Sequence, residues 1–155
     1  MISNGKFYES QFEEATIELL REAHWQYAFG DDIHRKYTDP LIEEDLRNFL
    51  TVQYKDKNLT TSEMDSIVAN LRNTGGQNDY YALRNAFLLY RDGYDFAYSD
   101  GRDNPFRLEY IDFEHPDHNI FRCVNQFVME QGRENRRPDI LLFINGIPVC
   151  IVELK

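Results

Sequence analysis

Asp139, Glu153 and Lys155 are three ionisable residues set in two apolar runs, ILLFI over 140–144 and IPVCIV over 147–152. Burying charge is costly unless it is paired or bound to a metal. Two carboxylates and one ammonium brought together are what a divalent-metal site for cutting a phosphodiester requires. Asp and Glu are hard oxygen ligands suited to Mg²⁺, which binds through one or two carboxylates plus substrate phosphate. Such a cation polarises the scissile phosphate and makes water acidic enough to attack at neutral pH. The amine would orient or deprotonate that water, or offset charge developing in the transition state. Side chains alternate across a strand, so Glu153 and Lys155 share a face and Leu154 points away, its carbonyl free as a further ligand.

The elements that must position this triad are two strands and the Asn145-Gly146 turn between them. A plain two-residue turn pairs Ile144 with Ile147, sets Asp139 opposite Val152 and leaves Glu153 on the wrong face. Slipping the register by one residue sets Asp139 opposite Glu153. A bulge or a three-residue connection is therefore expected near Gly146.

The order Pro138-Asp139, apolar spacer, Glu153-Leu154-Lys155 is the signature of PD-(D/E)xK nucleases. With NIFRCVNQFVME over 119–130 and RPDILLFINGIPVCIVELK over 137–155, the chain closely resembles the N-terminal nuclease domain of type I restriction enzyme R subunits. The resemblance implies an endonuclease acting on unmodified double-stranded DNA, with Mg²⁺ on Asp139 and Glu153 and assistance from Lys155. It also implies an intact enzyme that partners methyltransferase and specificity subunits and couples cutting to ATP-driven translocation. No G-x-x-x-x-G-K-[ST] occurs here, so an ATP site would belong to a motor region outside these residues. The family's domain continues beyond a Glu-Leu-Lys ending, so this piece is expected to show no useful nuclease activity alone.

The N-terminal resemblance is looser. Residues 8–24 read as an amphipathic helix with Phe12, Ala15, Thr16, Leu19 and Ala23 as its apolar stripe. Glu9 and Glu13 flank that stripe together, whereas Glu14 and Glu18 face away. An acidic residue on the family's opening helix can add a metal ligand. Glu13 matches that position best, with Glu9 second.

The fold class expected is α/β: a restriction-endonuclease-like mixed sheet flanked by helices, with a helical insertion in the middle. Helices occupy about 8–92 and the catalytic sheet about 106–155, so that 1–155 forms the N-terminal part of a single nuclease domain. Asp39-Pro40 opens a second helix running to about Tyr54, Thr61 a third, and Asn78 or Asp79 a fourth through Arg91. Residues 31–37 are a short strand or loop, 106–113 and 119–129 read as strands, and 114–118 as a turn.

With 42% hydrophobic residues the chain can bury one adequate core. No run approaches a transmembrane span, and the start is no signal peptide. Cys123 and Cys150 lack C-x-x-C spacing and read as small core residues of a reduced cytoplasmic protein. Seventeen basic residues against 27 acidic ones leave a net charge of −10, wrong for a free-standing DNA binder. Either other parts of a larger machine hold the DNA, or the chain does not bind it. Arg133, Arg136 and Arg137 form a local basic group beside the triad, suited to a phosphate or simply to a solvated loop.

Other constellations carry less. His115-Pro-Asp-His118 reads as a turn ahead of a strand rather than a metal site. Twelve-residue calcium loops begun at Asp95 or Asp100 would end on Phe106 or Ile111, not Glu. Trp25, Tyr27 and Phe29 alternate as core rather than as a base-stacking platform. Two alternative functions stand beside the first: another PD-(D/E)xK nuclease of DNA repair or phage origin, and a non-catalytic acidic DNA-mimic or protein-binding module.

Overall fold

The computed structural model describes residues 8–155. It shows a mixed α/β fold with four helices, a mixed four-stranded sheet and two small two-stranded sheets, consistent with a restriction-endonuclease-like architecture. Two compact units emerge, one from the described residues up to Ile42 together with Ile120–Lys155, the other from Glu43–Asn119. The second is inserted in sequence between the two segments of the first.

The first unit opens with helix α1, Glu9–Glu22, whose Gln11 side chain accepts the Tyr8 N–H at 3.1 Å to cap its start. Strand β1 (Gln26–Phe29) follows and pairs in parallel with β4 (Phe121–Asn125). β4 pairs antiparallel with β7 (Ile140–Ile144), and β7 with β8 (Ile147–Val152), so the sheet order is β1-β4-β7-β8. β7 is a central strand, with Ile140, Leu141 and Phe143 buried, and its uninterrupted apolar run is what such a strand requires. Val124, Phe127, Leu141, Phe143 and Ile42 form the core on one side of the sheet, and the Phe127 and Phe143 rings lie 5.0 Å apart.

The 119–129 run does not form one long strand. Gln126 adopts φ 56°, which ends β4, and the chain restarts as β5 (Met129–Gln131) in a hairpin with β6 (Glu134–Arg136) around Gly132 at φ 63°. The break fits a close approach: a Cβ on Gly30, just past β1, would run into the Gln126 carbonyl. The second helix also starts later than expected, as α2, Glu43–Gln53. Asp39 Oδ1 accepts the Leu41 N–H at 3.1 Å, and the Ile42 N–H donates to the Gly146 carbonyl at 2.9 Å, so these residues form a turn instead.

The second unit contains α2, α3 (Thr61–Arg72), α4 (Asp79–Asp92) and the antiparallel pair β2 (Tyr94–Phe96) and β3 (Phe106–Leu108). Gly93, at φ 63°, ends α4 as its sequence position predicts. The strand expected over 106–113 stops at Leu108. Asn119 closes around Asp112 instead, accepting its N–H at 2.9 Å and donating to its carbonyl at 2.8 Å. Thr60 and Glu63 form a reciprocal cap at the start of α3, and Arg102 grips the buried Glu63 carboxylate at 2.6 and 2.7 Å.

Two stability predictions follow from these contacts. Gly30→Ala should destabilise the chain by about 1–3 kcal/mol in urea unfolding, because the added methyl must displace the Gln126 main chain; an unchanged midpoint would contradict that close approach. Arg102, then the Thr60 N–H, hold the Glu63 carboxyl at about 2, well below its ordinary 4.5. Its contribution is therefore complete above pH 4.5 and is lost as pH falls through about 2. Glu63→Gln should lower Tm at neutral pH, by an amount that shrinks as the solution is acidified below 4.5. A gap independent of pH would disprove the assignment.

Candidate active site

The β7–β8 hairpin carries the register on which the triad depends. Asn145 and Gly146 take φ 51° and 76°, the left-handed pair of a two-residue turn, and Ile144 pairs with Ile147. The turn is fixed from outside: buried Asn145 exchanges hydrogen bonds with Ile120, its Oδ1 accepting at 2.7 Å and its N–H donating at 2.8 Å. The ladder then shifts. Phe143 pairs with Pro148 but Leu142 with Cys150, so Val149 is the extra residue of a bulge. Beyond it Ile140 faces Val152, the last pair of the ladder, and that register continued by one step would set Asp139 opposite Glu153. The expected irregularity is present, located three residues past Gly146 rather than in the turn.

Asp139 is half-buried behind the buried Pro138, and its Oδ2 accepts the Leu154 main-chain N–H at 2.7 Å. β8 ends at Val152, so Glu153, Leu154 and Lys155 lie just past the strand, with Glu153 and Lys155 exposed. The arrangement holds one carboxylate by a main-chain donor and leaves the other at the sheet end. Oxygen donors of this kind, from Asp139 and Glu153, fit a hard divalent cation better than a softer one.

The opening helix sits differently from the expectation. Its half-buried positions are Glu13, Thr16, Ile17 and Leu20, whereas Phe12 and Leu19 are largely exposed. Ile17 and Leu20 complete an i, i+3, i+4, i+7 face as well as the predicted stripe does, and choosing that face brings Glu13 inward. There Glu13 Oε1 accepts from Asn125 Nδ2 at 2.7 Å and Gln126 Nε2 at 3.5 Å. Asn125 accepts in turn from the Tyr27 hydroxyl at 2.8 Å. Burial, then the Glu13 charge, raise the Tyr27 pKa and keep it a donor. Asn125 pairs with Ile140, so Glu13 is tied to the residue that follows Asp139. Glu9 remains exposed.

Asn125 and Gln126 went unassigned from sequence, although both fall in the Asn-Gln-Phe run, whose paired amides were the available signal. Tyr27 belongs to the Trp25-Tyr27-Phe29 alternation; these rings are half-buried or exposed rather than core, with Trp25 edge-on to Phe121 at 5.2 Å. Arg133, Arg136 and Arg137 are all exposed on or beside the β5–β6 hairpin, with Arg136 only 3.8 Å from Glu134. Cys123 is buried and Cys150, expected as core, is exposed on β8. Among the described residues, no helix is long and apolar enough to cross a membrane.

Comparison with known proteins identifies a family for the chain. The family described as "Type I restriction enzyme R protein N terminus" matches residues 6–155. The type I restriction enzyme HindI endonuclease subunit of Haemophilus influenzae is 27% identical over 157 residues, covering 95% of this chain and 15% of that protein. A putative type I restriction enzyme MjaIXP endonuclease subunit of Methanocaldococcus jannaschii is 28% identical over 151 residues, covering 92% and 14%. A second protein of that organism, the putative MjaVIIP endonuclease subunit, is 43% identical over 49 residues, covering 32% of this chain and 5% of its own length. The chain thus spans about 15% of the length of the curated relatives that it matches end to end. It belongs to the family of type I restriction enzyme R protein N-terminal regions.

Proposed function

We propose that this chain is the Mg²⁺-dependent endonuclease portion of a type I restriction enzyme R subunit, hydrolysing phosphodiesters of unmodified double-stranded DNA. The observation that carries the reading is the Val149 bulge, which shifts the ladder to pair Ile140 with Val152, a register that continued by one step would match Asp139 with Glu153. Asp139 and Glu153 would hold the cation, which supplies polarisation of the scissile phosphate and activation of water. Leu154 N–H fixes Asp139 Oδ2, so that the carboxylate's remaining oxygen is directed by its partner rather than free to rotate. Lys155 supplies the positive charge that offsets two carboxylates and either orients the attacking water or takes its proton. Glu13, held by Asn125, is the third acidic group and acts as a further ligand or a hydrogen-bond acceptor for water.

Arg133, Arg136 and Arg137 offer exposed cations for backbone phosphates in a chain whose net charge is −10. That acidity supports a division of labour, in which a motor outside these residues grips DNA with ATP and the methyltransferase and specificity subunits select it. The assembly would work in the cytoplasm.

Two experiments test this. In the 155-residue chain, Mn²⁺ titration followed by electron paramagnetic resonance should show saturable binding that Asp139→Asn or Glu153→Gln weakens about tenfold or more. Asn125→Ala should weaken it less. Equal binding by all variants would reject the cation site and favour an acidic module without catalysis. In a complete R subunit, Asp139→Ala should reduce cleavage on the order of 10²–10³-fold or more while ATP hydrolysis persists. Retained cutting would remove Asp139 from the reaction.

A further inference from the structure

The second unit holds a cluster that the nuclease reading does not use. Asp112, His115 and His118 each offer a ligand atom, and these atoms lie within 4.8 Å of one another. His118 Nδ1 is 3.0 Å and His115 Nδ1 3.6 Å from the same oxygen, Asp112 Oδ2. The two rings stack at 4.8 Å with an interplanar angle of 18°. A turn was expected at His115-Pro-Asp-His118, and a short 3-10 turn, Pro116–His118, is found. That turn is what aims both imidazoles at one carboxylate. Asp112 itself did not figure in the sequence reading, because its three-residue offset from His115 carries no meaning until the chain bends.

From this geometry we propose that Asp112, His115 and His118 form a binding site for a borderline divalent transition metal such as Zn²⁺ or Co²⁺. Two imidazole nitrogens and one carboxylate oxygen are a donor set for those ions, not for Mg²⁺, which favours oxygen alone. His118 Nδ1 can exchange its hydrogen bond to Asp112 for a metal bond, and His115 Nδ1 lies close enough to the same oxygen to join it. The metal competes with those protons, so binding releases any that the ring nitrogens carry.

The surroundings are built to hold the carboxylate still. Asp112 is only 5% exposed, its Oδ1 accepts the His115 N–H at 2.9 Å, and its Oδ2 accepts from Gln53 Nε2 at 2.9 Å. Burial opposes ionisation of Asp112, yet the donors from His115, Gln53 and His118 prevail and leave its carboxyl at about 2. Asn119 clamps its main chain from both sides and also donates to the Pro116 carbonyl at 3.0 Å. Partners of this second rank orient a ligand and set its affinity. The imidazoles, by contrast, are 60% and 50% exposed, so a bound ion is reached from solvent and keeps open positions for water. Binding would staple the turn to Asp112 and raise the stability of this unit by mass action.

Co²⁺ is a visible probe for such a site. Titrated into the 155-residue chain, it should give saturable d–d absorption that Zn²⁺ abolishes by competition, and Zn²⁺ alone should raise Tm. His115→Ala should weaken Co²⁺ binding about tenfold or more, and the double variant with His118→Ala should lose it. The side chains are exposed, so both variants should keep the wild-type far-ultraviolet circular dichroism. Asp139→Asn with Glu153→Gln should leave the Co²⁺ spectrum unchanged, which separates this site from the proposed nuclease centre. Absorption that persists in the folded double histidine variant, or no saturable uptake by the wild type at millimolar Co²⁺, would overturn the proposal.

Discussion

A single surplus residue in one strand governs the geometry of the proposed nuclease centre. Strand side chains alternate with a period of two, so a ladder that runs one residue out of step sends an entire set of side chains to the other face. The tight Asn145-Gly146 turn alone would match Asp139 with Val152. Val149 absorbs the difference, and the pairing of Ile140 with Val152 follows. The bulge is affordable because the hairpin is pinned on either side of it. Asn145 is locked to Ile120 at the turn, and Asp139 is locked to Leu154 at the open end. Val149 itself is exposed, so its insertion does not disturb the packing of Leu141 and Phe143 against Val124 and Phe127.

The last hairpin was legible from sequence because several independent signals coincide there. Apolar runs define the strands, Asn-Gly defines the turn, and the chemistry of the charged residues demands a register that the turn alone cannot provide. The starts of α3 and α4 and the end of α4 were legible for a similar reason: the Thr60–Glu63 cap, the Asn78–Tyr81 cap and the stop at Gly93 each act over a few residues. Readings failed where a distant group decides the local conformation. β4 ends at Asn125, and the left-handed Gln126 that follows packs its carbonyl against Gly30, 96 positions earlier in numbering, where any side chain would collide. The 106–113 run loses its strand because Asn119 supplies Asp112 with the bonds a neighbouring strand would have made. Helix α1 had two nearly equivalent apolar faces, and the amides of Asn125 and Gln126 reward the one that brings in Glu13.

Carboxylates dominate this chain, but the structure uses them in different ways. Glu63 is buried and neutralised by Arg102, a structural role in which the charge is fully paired. Asp112 is buried among hydrogen-bond donors and faces two imidazoles. Asp139 takes a single main-chain donor and faces the sheet end. The last two are the proposed cation ligands, and their neighbours differ: imidazole nitrogens around Asp112, and in the proposed nuclease centre a second carboxylate, Glu153, beside Asp139. The two proposed sites should therefore sort metals by softness, with no need for either to be selective by affinity alone.

Crystals soaked in Mn²⁺ and measured at the manganese absorption edge put the central claim to its most direct test. An anomalous peak bridging the Asp139 and Glu153 carboxylates, with Val149 bulged from the ladder, is the predicted result. A continuous ladder that turns those two side chains to opposite faces, or manganese found only at other carboxylates, would contradict it.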